Sequence, residues 1–148
     1  MTATASDQLE ACLRLLRMQA RLVRRFDTAL GDVHGLGLVD FQLLFELYRA
    51  PDGRLRRVDL AERVSGSALA VTRMLGPLER IGLVTREANP RDVRLAYAAL
   101  TPTGRERVRE ALITAGHVAE RLFAEREDGG ELLGLGGELQ RLSLPADA

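Results

Sequence analysis

The sequence predicts a mainly α-helical chain with one small β-hairpin, on three observations. Apolar residues recur at helical spacing over most of its length. A short helical stretch and a longer one are separated only by "SGS" at 65–67, the pattern of a helix-turn-helix. The apolar runs "LVTRE" and "VRLAYAAL" flank the charged, proline-bearing "ANPRD", which fits a hairpin whose loop exceeds two residues.

Between Asp7 and about Leu30, one stripe holds Leu9, Leu13, Leu16, Ala20 and Val23, and a second holds Cys12, Leu15, Leu22 and Phe26. Two apolar stripes predict a helix buried on more than one side. Arg14, Arg17, Arg21 and Arg24 occupy the remaining face, which is either solvated or turned toward an anion. "GDVHGLG" (31–37) reads as a loop. "LVDFQLLFELYRA" reads as a second helix with Phe41, Leu44, Phe45 and Tyr48 on one face, stopped by "PDGR" at 51–54.

A short helix is expected over Val58 to Val64, and a further one, capped by Ser67, to about Ile81. Pro77, preceded by Gly76, removes a backbone hydrogen bond inside that helix and should kink it. Gly82 fits a C-terminal cap before the two strands. Thr101 and Pro102 then read as the N-cap and first residue of a helix to about Arg126, with Val108, Leu112, Ala115, Val118, Ala119 and Leu122 along one side. A last, weaker helix is expected through Leu132, Leu135, Leu139 and Leu142, where Gly134, Gly136 and Gly137 each cost about 1 kcal/mol relative to Ala.

With 148 residues, 46% of them hydrophobic, the chain suits one compact domain or a small domain with helical arms. No apolar run approaches the ~20 residues that cross a bilayer, and "MTATASDQLEAC" lacks a basic region followed by an apolar one. A soluble, cytoplasmic protein with no membrane partner is therefore expected. One cysteine and two distant histidines make neither an internal disulfide nor a recognisable metal site. No nucleophile and base pair or phosphate loop is visible, so neither an enzyme nor a cofactor is expected.

The formal net charge is zero, which argues against indiscriminate coating of nucleic acid, yet the charge is segregated. From Arg54 to Arg94 nine Arg face five acids, net +4, whereas from Arg105 onward six Arg face nine acids. The middle is basic and the C-terminal part is acidic.

The stretch "LAERVSGSALAVTRMLGPLERIGLVTREANPRDVRLAYAALTPTG" resembles the MarR family of winged helix-turn-helix transcriptional regulators. Four pieces carry the likeness: "LAERV", "AVTRML", "LERIGLV" and "PRDVR" with "LTPTG". The resemblance implies a winged helix-turn-helix domain at 37–101 flanked by dimerisation helices at 1–36 and 102–148. It also implies a homodimer that binds double-stranded DNA at a pseudo-palindromic operator, usually as a repressor. A small aromatic or anionic effector, bound between the dimerisation helices and the winged domain, releases the DNA in many members.

By position, Ser67, Ala70, Val71, Thr72 and Arg73 match the groove-facing start of the family's recognition helix. Ala and Val suit a thymine methyl, Thr a base or phosphate, and Arg guanine or phosphate; for Val71 a place in the core stays open. Asp92 and Arg94 match the wing's Asp-x-Arg, in which the Arg enters the minor groove and the Asp orients the tip. Pro90 stiffens that tip. Arg54, Arg57, Arg86 and Arg91 are phosphate candidates.

Three positions depart from the pattern. Val93 stands where Arg is common, so Arg91 would serve as the second tip cation. Ala68 and Leu69 stand where proline and serine are frequent, and Pro77 lies inside the recognition helix. Cys12 is expected in the core among leucines. The competing readings are a redox-sensing thiol, which would need a stabilised thiolate and solvent access, and a winged domain that binds protein rather than DNA.

Overall fold

A computed structural model describes residues 4–64, 66–88, 90–92 and 95–124. The elements are α1 (Ala5–His34), α2 (Leu38–Arg49), a 3₁₀ turn (Pro51–Gly53), β1 (Arg54–Arg56), α3 (Arg57–Arg63), α4 (Ala68–Arg80), β2 (Val84–Glu87), β3 (Tyr97–Leu100) and α5 (Pro102–Ala124). The chain divides into two compact units, residues 1–115 and 116–148. The first carries every element up to the N-terminal part of α5. The described part of the second is helix, to Ala124. The expected last helix through Leu132 and Leu142 lies outside the described residues.

Local chemistry accounts for most boundaries. The Thr4 hydroxyl accepts from the Asp7 backbone N–H while Asp7 accepts from Thr4, a reciprocal cap that opens α1. The expected loop at 31–37 is mostly helix: α1 continues to His34 and stops at Gly35, whose φ of +65° only glycine adopts without strain. Ser67 Oγ accepts from Ala70 N at 3.1 Å to open α4. Gly82, with φ +77°, ends it as Leu83 N donates to Leu78 O. Thr101 Oγ1 accepts from Gly104 N at 2.9 Å and donates to Gly82 O at 2.6 Å, joining the cap of α5 to the end of α4. Pro77 does not stop α4, which runs on to Arg80.

The sheet is larger than the expected hairpin. It is three-stranded and antiparallel, ordered β1-β3-β2, with Leu55 opposite Ala98 and Thr85 opposite Ala99. Strand β1 is only three residues long, too short to show a period of two.

The core draws Leu43, Leu44 and Leu47 from α2, Leu60 from α3, Val71, Leu75 and Leu78 from α4, and Val108 and Ala111 from α5. Helix α2 is therefore buried over a wider face than expected, while Phe45 and Tyr48 are only half-buried and Phe45 stacks on Phe41. At the end of α1, Leu30 joins this core, His34 Nε2 lies 2.8 Å from Thr114 Oγ1, and Arg107 donates to the His34 carbonyl.

Within the described residues of one chain, the rest of α1 is not buried on more than one side. Within one chain, Leu30 is its single buried residue, and Leu9, Leu13, Leu15 and Leu16 are exposed. Cys12 is exposed too, not in the core. The two apolar stripes exist; Phe26 packs against the core, while the described residues of this chain leave Leu9, Leu13, Leu15 and Leu16 uncovered.

Candidate nucleic-acid interface

Helices α3 and α4 pack against each other, and Gly66 N donates to Ala61 O at 2.9 Å in the turn between them. Burial of Val71, Leu75 and Leu78 on one side of α4 turns Ala68, Leu69, Arg73, Pro77 and Arg80 outward. Spacing of three and four residues makes that outward set one stripe along the helix. Arg73, one turn after Leu69, is exposed and forms no ion pair among the described residues.

Of the recognition-helix candidates, Ser67 and Arg73 are exposed, and Ala70 and Thr72 half-buried. Val71 is fully buried at 0% exposure. It belongs to the core, and a side chain without accessible surface cannot touch a thymine methyl. The Thr72 hydroxyl is occupied within the domain: it donates to Ala68 O at 2.8 Å and accepts from Arg57 Nη1 at 3.2 Å.

The surrounding arginines are held in place by acids. Arg54, on β1, reaches across β3 to Glu87 Oε2 at 2.8 Å, its guanidinium 4.2 Å from the centre of the Tyr97 ring. Arg86 on β2 pairs with Glu79 at the end of α4 at 2.6 Å. Arg56 forks onto both Asp59 oxygens at 2.8 and 2.9 Å. Those bonds raise the Arg56 pKa and hold the Asp59 carboxyl below its ordinary value. The basic segment is thus a set of positioned guanidiniums rather than a cloud of loose charge.

At the tip between β2 and β3, Pro90 and Arg91 are exposed and Asp92 half-buried, and the Asp92 carbonyl accepts from Leu95 N at 3.0 Å. Arg94 and Val93 lie outside the described residues. Leu69, Arg80 and Arg56 are not among the contacts that the sequence nominates; the first two face outward on α4, and Arg56 is an anchored cation. The spacing of 69, 73 and 80 from the Ser67 cap carries that signal.

The architecture, a helix-turn-helix backed by a three-stranded sheet, has close counterparts among known proteins. A model of the MarR family matches residues 36–95. The chain is 30% identical over 118 residues to the HTH-type transcriptional repressor YetL of Bacillus subtilis, which covers 76% of this chain and 70% of YetL. The chain belongs to the MarR family. It is a MarR-family transcriptional regulator with a winged helix-turn-helix fold.

A second relative, the HTH-type transcriptional regulator YdgJ of Bacillus subtilis, is 38% identical over 74 residues, 50% of this chain. The match spans 44% of YdgJ, less than half its length. Among solved structures, Sco3205, a MarR family transcriptional regulator from Streptomyces coelicolor in complex with DNA, superposes with a TM-score of 0.84 at 25% identity. That match covers 100% of this chain and 94% of Sco3205. Helix α4 is the second helix of the helix-turn-helix, and the β2–β3 connection takes the place of the wing in this fold. No described helix is long and apolar enough to cross a membrane.

Proposed function

We propose that this MarR-family regulator is a homodimeric, sequence-specific DNA-binding repressor of a pseudo-palindromic operator, acting in the cytoplasm. The observation that carries the reading is the start of α4. A Ser67-capped helix end presents Ala68, Leu69 and Arg73, which has no ion pair among the described residues, to solvent within the net-positive segment of the chain. Such an end suits base edges in the major groove. The Sco3205 complex with DNA and the repressor YetL support the same assignment.

The wing complements it. Arg91, Asp92 and Arg94, stiffened by Pro90, would meet the adjacent minor groove, where negative potential is focused. Arg54, Arg57 and Arg86 would contact phosphates and fix the register without reading sequence, each exchanging an internal partner for a phosphate oxygen. Ser67 and Ala70 complete the helix start.

Dimerisation is supported by α1. Leu9, Leu13 and Leu16 are 61%, 39% and 59% exposed, and a second copy would bury them. A small aromatic or anionic effector, bound between the dimerisation helices and the winged domain, would release the DNA, as the likeness to the family implies.

Selection of bound fragments from random double-stranded DNA, followed by titration of the selected operator, tests the reading. Affinity should fall steeply between about 50 and 200 mM salt, as neutralised phosphates require. Arg94→Ala should weaken operator binding by about 1 to 3 kcal/mol. Affinity indifferent to salt would remove DNA from the proposal.

A further inference from the structure

The outward stripe of α4 has an unusually narrow chemical vocabulary, and we infer that Leu69, with Ala68 beside it, reads the 5-methyl group of thymine in each half-site. The inference rests on the DNA-binding reading above and names what the recognition helix can distinguish.

Side chains tell base pairs apart in the major groove through a few pairings. Asn or Gln bonds adenine, Asp or Glu accepts from cytosine, Arg or Lys bonds guanine, and an apolar group touches the thymine methyl. From Ala68 to Leu78 this helix has no amide and no carboxylate. Its one acid, Glu79, is held by Arg86. Adenine and cytosine therefore have neither an amide nor a carboxylate partner in its first turns. Thr72 is already engaged with Ala68 and Arg57, and Val71 and Leu75 are sealed in the core. What remains outward in the first two turns is the Ser67 hydroxyl at the cap, which already accepts from Ala70 N, one guanidinium, Arg73, and the aliphatic surface of Ala68 and Leu69.

Leu69 is 61% exposed and lies four residues before Arg73, on the same face and one turn nearer the helix N-terminus. In recognition helices the N-terminal residues are those that meet base edges. Arg73 can specify a guanine, and only the methyl contact then separates A·T from T·A at the neighbouring position.

Replacing thymine by deoxyuridine tests this without altering the protein, because base pairing is kept and only the methyl is lost. Each thymine of the selected operator is changed in turn, symmetrically in both half-sites, and wild-type affinity is measured. At one thymine position the change should weaken binding by about fourfold per half-site, the size expected for burying one methyl-sized group. Leu69→Ala, folded by circular dichroism, should bind the thymine and deoxyuridine operators equally. If the wild type binds every deoxyuridine operator like the parent, or if Leu69→Ala keeps the full penalty, the inference is wrong while DNA binding stands. Failure to select any duplex would overturn both.

Discussion

The Arg57 guanidinium donates to the Thr72 hydroxyl at 3.2 Å, and that hydroxyl donates in turn to the Ala68 carbonyl one turn back. The first residue of α3 is thereby tied to the second turn of α4, the element proposed to enter the groove. Both residues look like DNA contacts in the sequence, yet in the folded domain each has a partner. Arg73, on the same helix, has none among the described residues.

This difference separates two substitutions. Arg73→Ala should cost about 1 to 3 kcal/mol of operator affinity and relax preference at one base position, because it removes an exposed and uncommitted cation. Thr72→Val keeps the shape and removes a hydroxyl that already has internal partners, so its effect on affinity should be clearly smaller. Titration of both variants against the selected operator decides the matter; equal losses would put Thr72 in direct contact with DNA.

Gly104 meets Leu83 in the first turn of α5, where an added β-carbon would collide with the Leu83 carbonyl oxygen. That oxygen accepts from Thr101 N at 3.1 Å, and Leu83 is buried, so the backbone there has little room to retreat. In an open helix, Gly→Ala would gain about 1 kcal/mol. Here overpacking, typically about 1 to 3 kcal/mol and more against rigid backbone, should win. Gly104→Ala is therefore expected to lower the urea midpoint, and a raised midpoint would mean that α5 shifts freely.

How much of this was legible in the sequence follows from range. Ser67, Gly82 and the Thr101–Pro102 pair act on their own backbone neighbours, and the helix order they predict is the order observed. Strand β1 depends on pairing Leu55 with Ala98, more than forty positions away, and leaves no local trace. The ion pair of Arg54 with Glu87 is nonlocal in the same sense, while that of Arg86 with Glu79 depends on how β2 folds back beside the end of α4. Val71 was partly readable: its spacing to Leu75 and Leu78 marks the core side of α4. Periodicity shows that α1 has two apolar stripes, but periodicity does not say what covers them, and the described residues leave Leu9, Leu13, Leu15 and Leu16 exposed.

A charge on that surface tests the proposed dimer. Leu16 is 59% exposed within one chain, so Leu16→Glu should leave the core of residues 1–115 folded. In a dimer it would bury an unpaired carboxylate, which is strongly unfavourable. Light scattering should show a shift from dimer to monomer, and operator affinity should drop because the two half-site contacts are no longer linked. A variant that remains dimeric would place the interface elsewhere.

Acid should loosen the start of α3 through Asp59. Its carboxyl lies below the ordinary value of 3.8, first because Arg56 donates hydrogen bonds to it, with Coulomb attraction to Arg56 and Arg63 adding to the effect. Its place in the first turn of α3 also favours a negative charge. A carboxyl whose folded pKa is lowered contributes stability that is complete above its unfolded value and disappears as pH falls through the folded one. The window is thus below about pH 4, and the contribution at neutral pH persists unchanged down to it. With the two side chains 44% and 33% exposed, it should be under about 1 kcal/mol and shrink with salt. Asp59→Asn should therefore lower the urea midpoint slightly at pH 7 and match the wild type in acid below the window. A gap between the two proteins that stays constant across that range would show that the Asn variant loses packing rather than charge.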